Sequence, residues 1–455
     1  MTERPLPTAP SPARPLPVRL REGFAEFLHT EVAGAVVLLG ATVLALALAN
    51  SPLFGSYEAF WHAQAGISVG SWHFSESLVH WVNDLLMAFF FFVVGLEIKR
   101  EVLVGELSVR RKALLPILAA AGGMAVPAVL YFALNAGGPG SHGWGIPMAT
   151  DIAFAVGVMA LLGDRVPSSL KVFLVALAIA DDIGAILVIA IFYTASLSWA
   201  WLGVAAVLFV VLMLLNRRGI DTPVPYLVVG GFLWFAVLMS GVHSTIAGVL
   251  VAFTIPVIAK TDPLRFVSNT RARLNQIEAA DVPGSHVLAD DQQQLMALEI
   301  RREARHTAAP LQRLEFALHP YTTFLVLPLF ALSNAGVRFI GIDLSQALLT
   351  PIALGVSLGL VAGKPIGIVL MSWLAVKLRL ADLPEGVGWP QLVGAGLLGG
   401  IGFTMSLFVA SLAFRGTQQI NEAKMAILIA SVFAGFVGYL VLRYARSAEG
   451  KAGSR

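Results

Sequence analysis

Cysteine is absent from the 455 residues, which excludes a disulfide framework, a thiolate metal site and a thiol nucleophile. Charge is scarce as well: Asp, Glu, Lys and Arg make up 13% of the chain, against roughly 25% in soluble domains. With 57% apolar residues and a mean hydropathy of +0.78, water is excluded as the main solvent. The pI near 9.2 suggests nucleic acid at first sight, but the placement of the basic residues accounts for it and no nucleic-acid partner is expected.

What is abundant is long apolar sequence. A bilayer-spanning helix needs about 20 mostly apolar residues. Twelve such segments run approximately over 32–50, 79–96, 114–134, 144–163, 172–193, 199–215, 223–239, 243–259, 321–337, 350–374, 391–414 and 423–442. If successive segments alternate in direction, the loops and tails on one side hold 27 of the 31 Lys and Arg. The other side has only Arg338, Arg415 and Lys424, and Lys364 lies within a segment. The positive-inside rule then places both termini in the cytoplasm and favours an even number of spans. The fold class is an all-α polytopic membrane protein of about twelve helices, with no enzymatic cofactor expected.

Residues 1–25 are rich in proline and arginine and lack an apolar core, so they read as a disordered cytoplasmic tail and not a signal peptide. The twelve-helix body is expected over 26–446, with a second cytoplasmic tail at 447–455. Within the body, 55–75 mixes aromatic and polar residues with glycine, suggesting an outer hairpin or an ordinary loop. The long connection 261–318 is expected on the cytoplasmic side, with a charged surface helix at Gln292 to Arg305. Its arginines suit a solvated face, with lipid contact or regulation as the alternatives.

The informative residues are those whose charge falls at membrane depth, where an ion is expensive and persists for function. Asp151, Asp181, Asp182 and Lys364 each stand near the middle of an apolar segment. Asp84 ranks second, nearer a segment end and beside His80 and Asn83. Asp181 and Asp182 project about 100° apart on a helix, so one carboxylate can line an ion path while the other turns to Lys364. A hard cation such as sodium takes oxygen ligands, and the carboxylates with the Thr150 hydroxyl supply them transiently. A buried carboxylate that holds either a proton or a cation couples the two fluxes. The alternative for each acid is a structural ion pair between helices.

Backbone signals fall at the same depth. Gly145 and Pro147 precede Asp151, and Gly394, Gly396, Gly399, Gly400 and Gly402 precede Thr404. Both segments, the fourth and the eleventh, are candidates for interrupted helices in an inverted repeat, as in transporters; close packing of small residues is the other explanation for the glycines. Three rival functions have weaker support. An intramembrane aspartyl protease needs two aspartates sharing a proton, and adjacent residues point apart. A proton-coupled symporter needs a substrate pocket, and the one buried basic residue is expected to be occupied. A channel needs rings of carbonyls or acids.

The stretches Gly95–Glu101, Ala149–Ala155, Leu177–Ala185, Ser240–His243, Gly363–Gly367 and Gly400–Ser406, in this order, resemble those of the NhaA-type bacterial sodium/proton antiporters. The resemblance implies a homodimer of the bacterial inner membrane that expels Na+ or Li+ in exchange for H+, electrogenically, two protons per sodium ion, under pH control. It implies that Asp181 and Asp182 carry ion and protons, Asp181 pairing with Lys364. Thr150 and Asp151 would stand where the broken helices cross, with Asp151 offsetting helix N-termini and Lys364 the C-termini. The outer hairpin would be the dimer contact. Glu97, Arg100, Glu101, Glu315 and His319 would form a cation funnel and pH sensor, with His243 in the same connection. Phe316, where some relatives have a second histidine, and the long cytoplasmic loop depart from the pattern.

Overall fold

The computed structural model describes residues 31–70, 72–194, 197–259, 262–280, 291–341, 343–414 and 419–445. The expected tails 1–25 and 447–455, and Arg415, lie outside the described residues. Helix α1 (Glu31–Ala49) is followed by α2 (Phe54–His62) and an antiparallel pair, β1 (Gln64–Val69) and β2 (Trp72–Ser77), in register Gln64 to Ser77. The first part of the stretch expected as a hairpin, as far as His62, is therefore helical. Gly70 turns the chain between the strands with φ +62°, a conformation suited to glycine. The indole of Trp81 donates to the Ala65 carbonyl at 2.8 Å and fixes the hairpin to the next helix.

That helix, α3 (Leu78–Leu103), contains a π turn at Val82–Leu86. Then come α4 (Arg110–Asn135), a 3-10 stretch (Ser141–Met148), α5 (Ile152–Ala160), α6 (Ser168–Phe192), α7 (Trp199–Arg217), α8 (Pro223–Met239) and α9 (Thr245–Thr254). Two polar helices follow, α10 (Pro263–Ala280) and α11 (Asp291–Thr307). The second covers the expected surface helix. The first, with Leu264, Val267, Leu274 and Ile277 at helical spacing, lies in a part of the connection where no helix is expected. The chain continues with α12 (Pro310–Asn334), α13 (Pro351–Lys377), α14 (Trp389–Gly399), α15 (Phe403–Ala413) and α16 (Gln419–Tyr444).

Among the described residues, nine helices are long and apolar enough to cross a membrane, and α14 with α15, bent by 43°, makes a tenth. The apolar helices α8 and α9 are shorter. Helix α9 stops at Thr254, five residues before the expected end, and the cause is local. Pro256 drives Ile255 into an extended conformation (ψ 132°). Lys99 then donates to the freed carbonyls of Phe253 (2.7 Å) and Ile255 (2.6 Å), placing a cation at the helix C-terminus. Helix α12 begins earlier than expected because Pro310 suits a first turn, so Glu315 and His319 lie within a helix.

The central helices touch through glycine. On α4 and α13, Gly122 and Gly367 lie back to back, so that a Cβ on either would collide with backbone of the other. This crossing holds Lys364, three residues before Gly367, against α4 and the site described below. Gly122→Val is expected to cost about 1–3 kcal/mol or more by forcing the helices apart. Gly40→Val is the control, since no atom lies within 4 Å of a Cβ there. Thermal denaturation in detergent should show a lower midpoint for the first substitution and little change for the second; equal midpoints would refute the packing argument.

Candidate functional site

Between Met148 and Ile152 the chain is extended, with Ala149 at ψ 148° and Asp151 at ψ 102°. Pro147 lacks an N–H, and Gly145 contributes no side chain to helical packing, so the segment 144–163, a candidate for an interrupted helix, is divided here. A second break, Gly400 to Gly402, separates α14 from α15. Helix ends leave backbone groups without intrahelical partners, and in hydrocarbon these must be satisfied within the protein.

The two breaks satisfy each other. The Asp151 N–H donates to the Ile401 carbonyl at 2.7 Å. The Asp151 carboxylate accepts from the N–H of Phe154 (3.0 Å), the N–H of Thr404 (3.1 Å) and the Thr404 hydroxyl. One carboxylate thus caps the N-termini of both α5 and α15, where its charge meets the positive ends of two helix dipoles. Ser406 donates to the Ile146 carbonyl at 2.8 Å and ties the same segments a turn away.

Lys364 and Asp181, both fully buried, form an ion pair within this crossing. The Lys364 amine also donates to the Met148 carbonyl at the end of the 3-10 stretch. The Thr150 hydroxyl lies 2.7 Å from Asp181 Oδ2 and 2.9 Å from the Gly399 carbonyl, and can donate its one proton to either. The other oxygen of Asp181, Oδ1, has no hydrogen-bond partner among the described residues.

Asp182 differs from its neighbour. Its side chain is 2% exposed, yet it borders a cavity of about 330 Å³ together with Thr150, Asp151 and Thr404. From α3, Phe90, Val93, Val94 and Glu97 reach this cavity as one helical stripe, and from α12 His319 and Thr322 do so. The cavity therefore joins Asp182 and Asp151 to Glu97 and His319, two of the residues expected in a cation funnel.

The other funnel residues form a network beyond it. Arg100 contacts Glu315 at 3.2 Å and Glu101 at 3.0 Å, and Glu101 also accepts the Glu106 N–H at 3.1 Å. None of these lines the cavity. Asp84 and His243 lie at neither place. Asp84 accepts from the Ser244 hydroxyl at 2.8 Å, and His243 is buried beside that serine at the start of α9. Among the described residues no three His, Cys, Asp or Glu side chains converge as a resident metal centre.

Thr404 and the carbonyls of Met148, Gly399 and Ile401 were not singled out as site residues in the sequence. A threonine two residues after a glycine-rich break, mirroring Thr150 beside the first break, is the signal that points to Thr404. Thr150→Val keeps the shape but removes the one hydroxyl proton available to Asp181 Oδ2 and the Gly399 carbonyl, an expected cost of about 1–3 kcal/mol. Thr150→Ser should recover most of it. Thermal midpoints of the purified variants check this, and equal midpoints for valine and serine would contradict it.

Comparison with known proteins gives a consistent set of relatives. The family model described as Na+/H+ antiporter 1 matches residues 25–442. A protein of Oleidesulfovibrio alaskensis named Na(+)/H(+) antiporter NhaA is 49% identical over 432 residues, 95% of this chain and 96% of the relative. The protein of that name from Sulfurimonas denitrificans is 48% identical over 428 residues, 94% of this chain and 96% of its own length. That from Acidithiobacillus ferrooxidans is 49% identical over 421 residues, covering 92% and 96%.

Proposed function

This chain belongs to the Na+/H+ antiporter 1 family, and on that premise we propose that it exchanges sodium ions for protons across a bacterial membrane, with Asp182 as the group that both ions contend for. The observation carrying this reading is that Asp182, alone among the paired acids, faces the cavity without a hydrogen-bond partner among the described residues. A carboxylate withdrawn from water is stable when neutralised, by a proton or by a cation. It cannot hold both at once. Loading sodium therefore expels a proton, and that competition couples the fluxes in opposite directions.

Asp181 and Lys364 are the second proton-handling unit in this proposal. Opening their ion pair leaves Asp181 free to join Asp182 as an oxygen ligand to Na+ or Li+, and leaves Lys364 to release its proton. The stoichiometry is then two protons per sodium ion, and the exchange is electrogenic. Asp151 and Thr150 hold the crossing together. A proteolytic role for Asp151 with Asp182 is disfavoured by the capping contacts, which occupy both oxygens of Asp151.

Glu97 and His319 are proposed to admit cations from the cytoplasm, with Arg100, Glu101 and Glu315 as the charged rim through which pH acts. His243 and Asp84 belong to a separate outer network in this reading. Counting α8 and α9 as spans makes twelve, with both termini in the cytoplasm of an inner-membrane protein that controls cytoplasmic pH and sodium. The hairpin β1–β2 is the proposed homodimer contact.

The test uses inverted membrane vesicles with an established proton gradient. Added Na+ should dissipate the gradient, and a potential-sensitive dye should report net charge movement. Loss of the gradient without any dependence on Na+ or Li+ would overturn the exchange. Sodium-dependent proton movement without charge movement would overturn the stoichiometry alone.

A further inference from the structure

Asp151 caps one end of α5; a second recess lies at the other. A cavity of about 180 Å³ there is lined by Leu161, Leu162, Arg165, Tyr439 and Arg443. Arg165 ends the 3-10 turn Gly163–Arg165, where Gly163 reverses the chain at φ +57°. Tyr439 and Arg443 are one helical turn apart near the end of α16. Segments far apart in sequence thus bring two arginines and a tyrosine to one small space.

Neither arginine has an ion-pair partner among the described residues, whereas Arg100, Arg111 and Arg273 each meet a carboxylate. Two like charges held at one recess repel, and an anion between them removes the cost. Arginine's planar fork matches phosphate oxygens, and a phenol adds a further donor. Arginines that merely snorkel to water have no reason to share a cavity.

The surface leading to the recess is apolar. Val432, Phe436, Tyr439 and Arg443 form a single stripe along α16, and Val432 (72%), Phe436 (62%) and Leu161 (62%) are largely exposed. An acyl chain can lie along that stripe with its phosphate at the arginines. Basic pockets between membrane helices bind anionic headgroups in this manner. We propose that this recess binds a phosphate group, that of an anionic phospholipid whose chain lies along α16, and that it fastens the free end of α5 to α16.

The experiment titrates the purified full chain in detergent with phosphatidylglycerol, phosphatidylcholine and inorganic phosphate, reading the thermal midpoint and bound lipid by native mass spectrometry. Phosphatidylglycerol should raise the wild-type midpoint. Arg165→Gln/Arg443→Gln should weaken its apparent affinity about tenfold or more, Arg165→Lys/Arg443→Lys should restore part of it, and Arg111→Gln, in the exposed pair with Asp382, should leave it unchanged. Inorganic phosphate acting as strongly as the lipid, and losing its effect in the double glutamine variant, upholds the site and makes its occupant soluble phosphate. Equal affinity in wild type and double variant, or phosphatidylcholine binding as tightly as phosphatidylglycerol, overturns the proposal. If the double variant does not fold, the wild-type contrast between the two lipids and the lysine variant still decide.

Discussion

Asp182→Asn is expected to abolish sodium-driven proton movement in inverted vesicles, leaving only the signal of membranes without the protein. The amide has nearly the carboxyl's shape, and Asp182 makes no hydrogen bond to the described residues, so insertion and thermal stability should be close to wild type. What disappears is the negative charge. An amide needs neither a proton nor a cation to be neutral, so the competition that couples the ions has no seat. Asp182→Glu keeps the charge on a side chain one methylene longer and should retain part of the activity. A normal sodium response from Asp182→Asn would remove this residue from the mechanism.

The second large effect is on stability. Lys364→Ala strands the Asp181 carboxylate at a fully buried position and frees the Met148 carbonyl. Breaking a buried ion pair by removing one partner typically costs about 3–5 kcal/mol, and a fall of that size is expected. Asp181→Asn alone strands the ammonium instead. The double variant Asp181→Asn/Lys364→Ala has no buried charge at this pair, so its loss should be well below the sum of the two. Thermal midpoints of the four proteins form a double-mutant cycle. Strict additivity would mean that the pair does not act as one unit.

Charge at membrane depth made the central residues legible. Asp151, Asp181, Asp182 and Lys364 were readable because few physical circumstances keep an ion in hydrocarbon, and all four converge on one crossing. Glycine and proline near Asp151 and Thr404 marked where the helices break. They did not reveal which backbone groups meet there: Asp151 and Thr404 are 253 positions apart, and no local pattern encodes that pairing. Thr404 carries no charge, and an uncharged hydroxyl in a membrane helix has many ordinary roles.

Helix ends were missed even where their cause is local: the apolar runs extend past Pro256, which ends α9, and fall short of Pro310, which opens α12. Lys99, which satisfies the carbonyls freed at Pro256, comes from α3. The Arg100 network and Asp84 illustrate the opposite difficulty. The family resemblance grouped Arg100, Glu101 and Glu315 with Glu97 and His319, but side-chain direction separates them: the last two reach the cavity and the others turn to one another. Asp84 resembles the central acids in composition alone; its oxygen accepts from Ser244, away from the cavity.

The central claim is that sodium and protons exclude one another at the Asp181/Asp182 pair. Its most direct measurement needs no membrane: sodium is added to the purified protein in weakly buffered detergent while bound sodium and released protons are both recorded. Protons should leave in step with sodium binding, and Asp182→Asn should show neither. Sodium bound with no proton released, or a release unchanged in Asp182→Asn, would contradict the account.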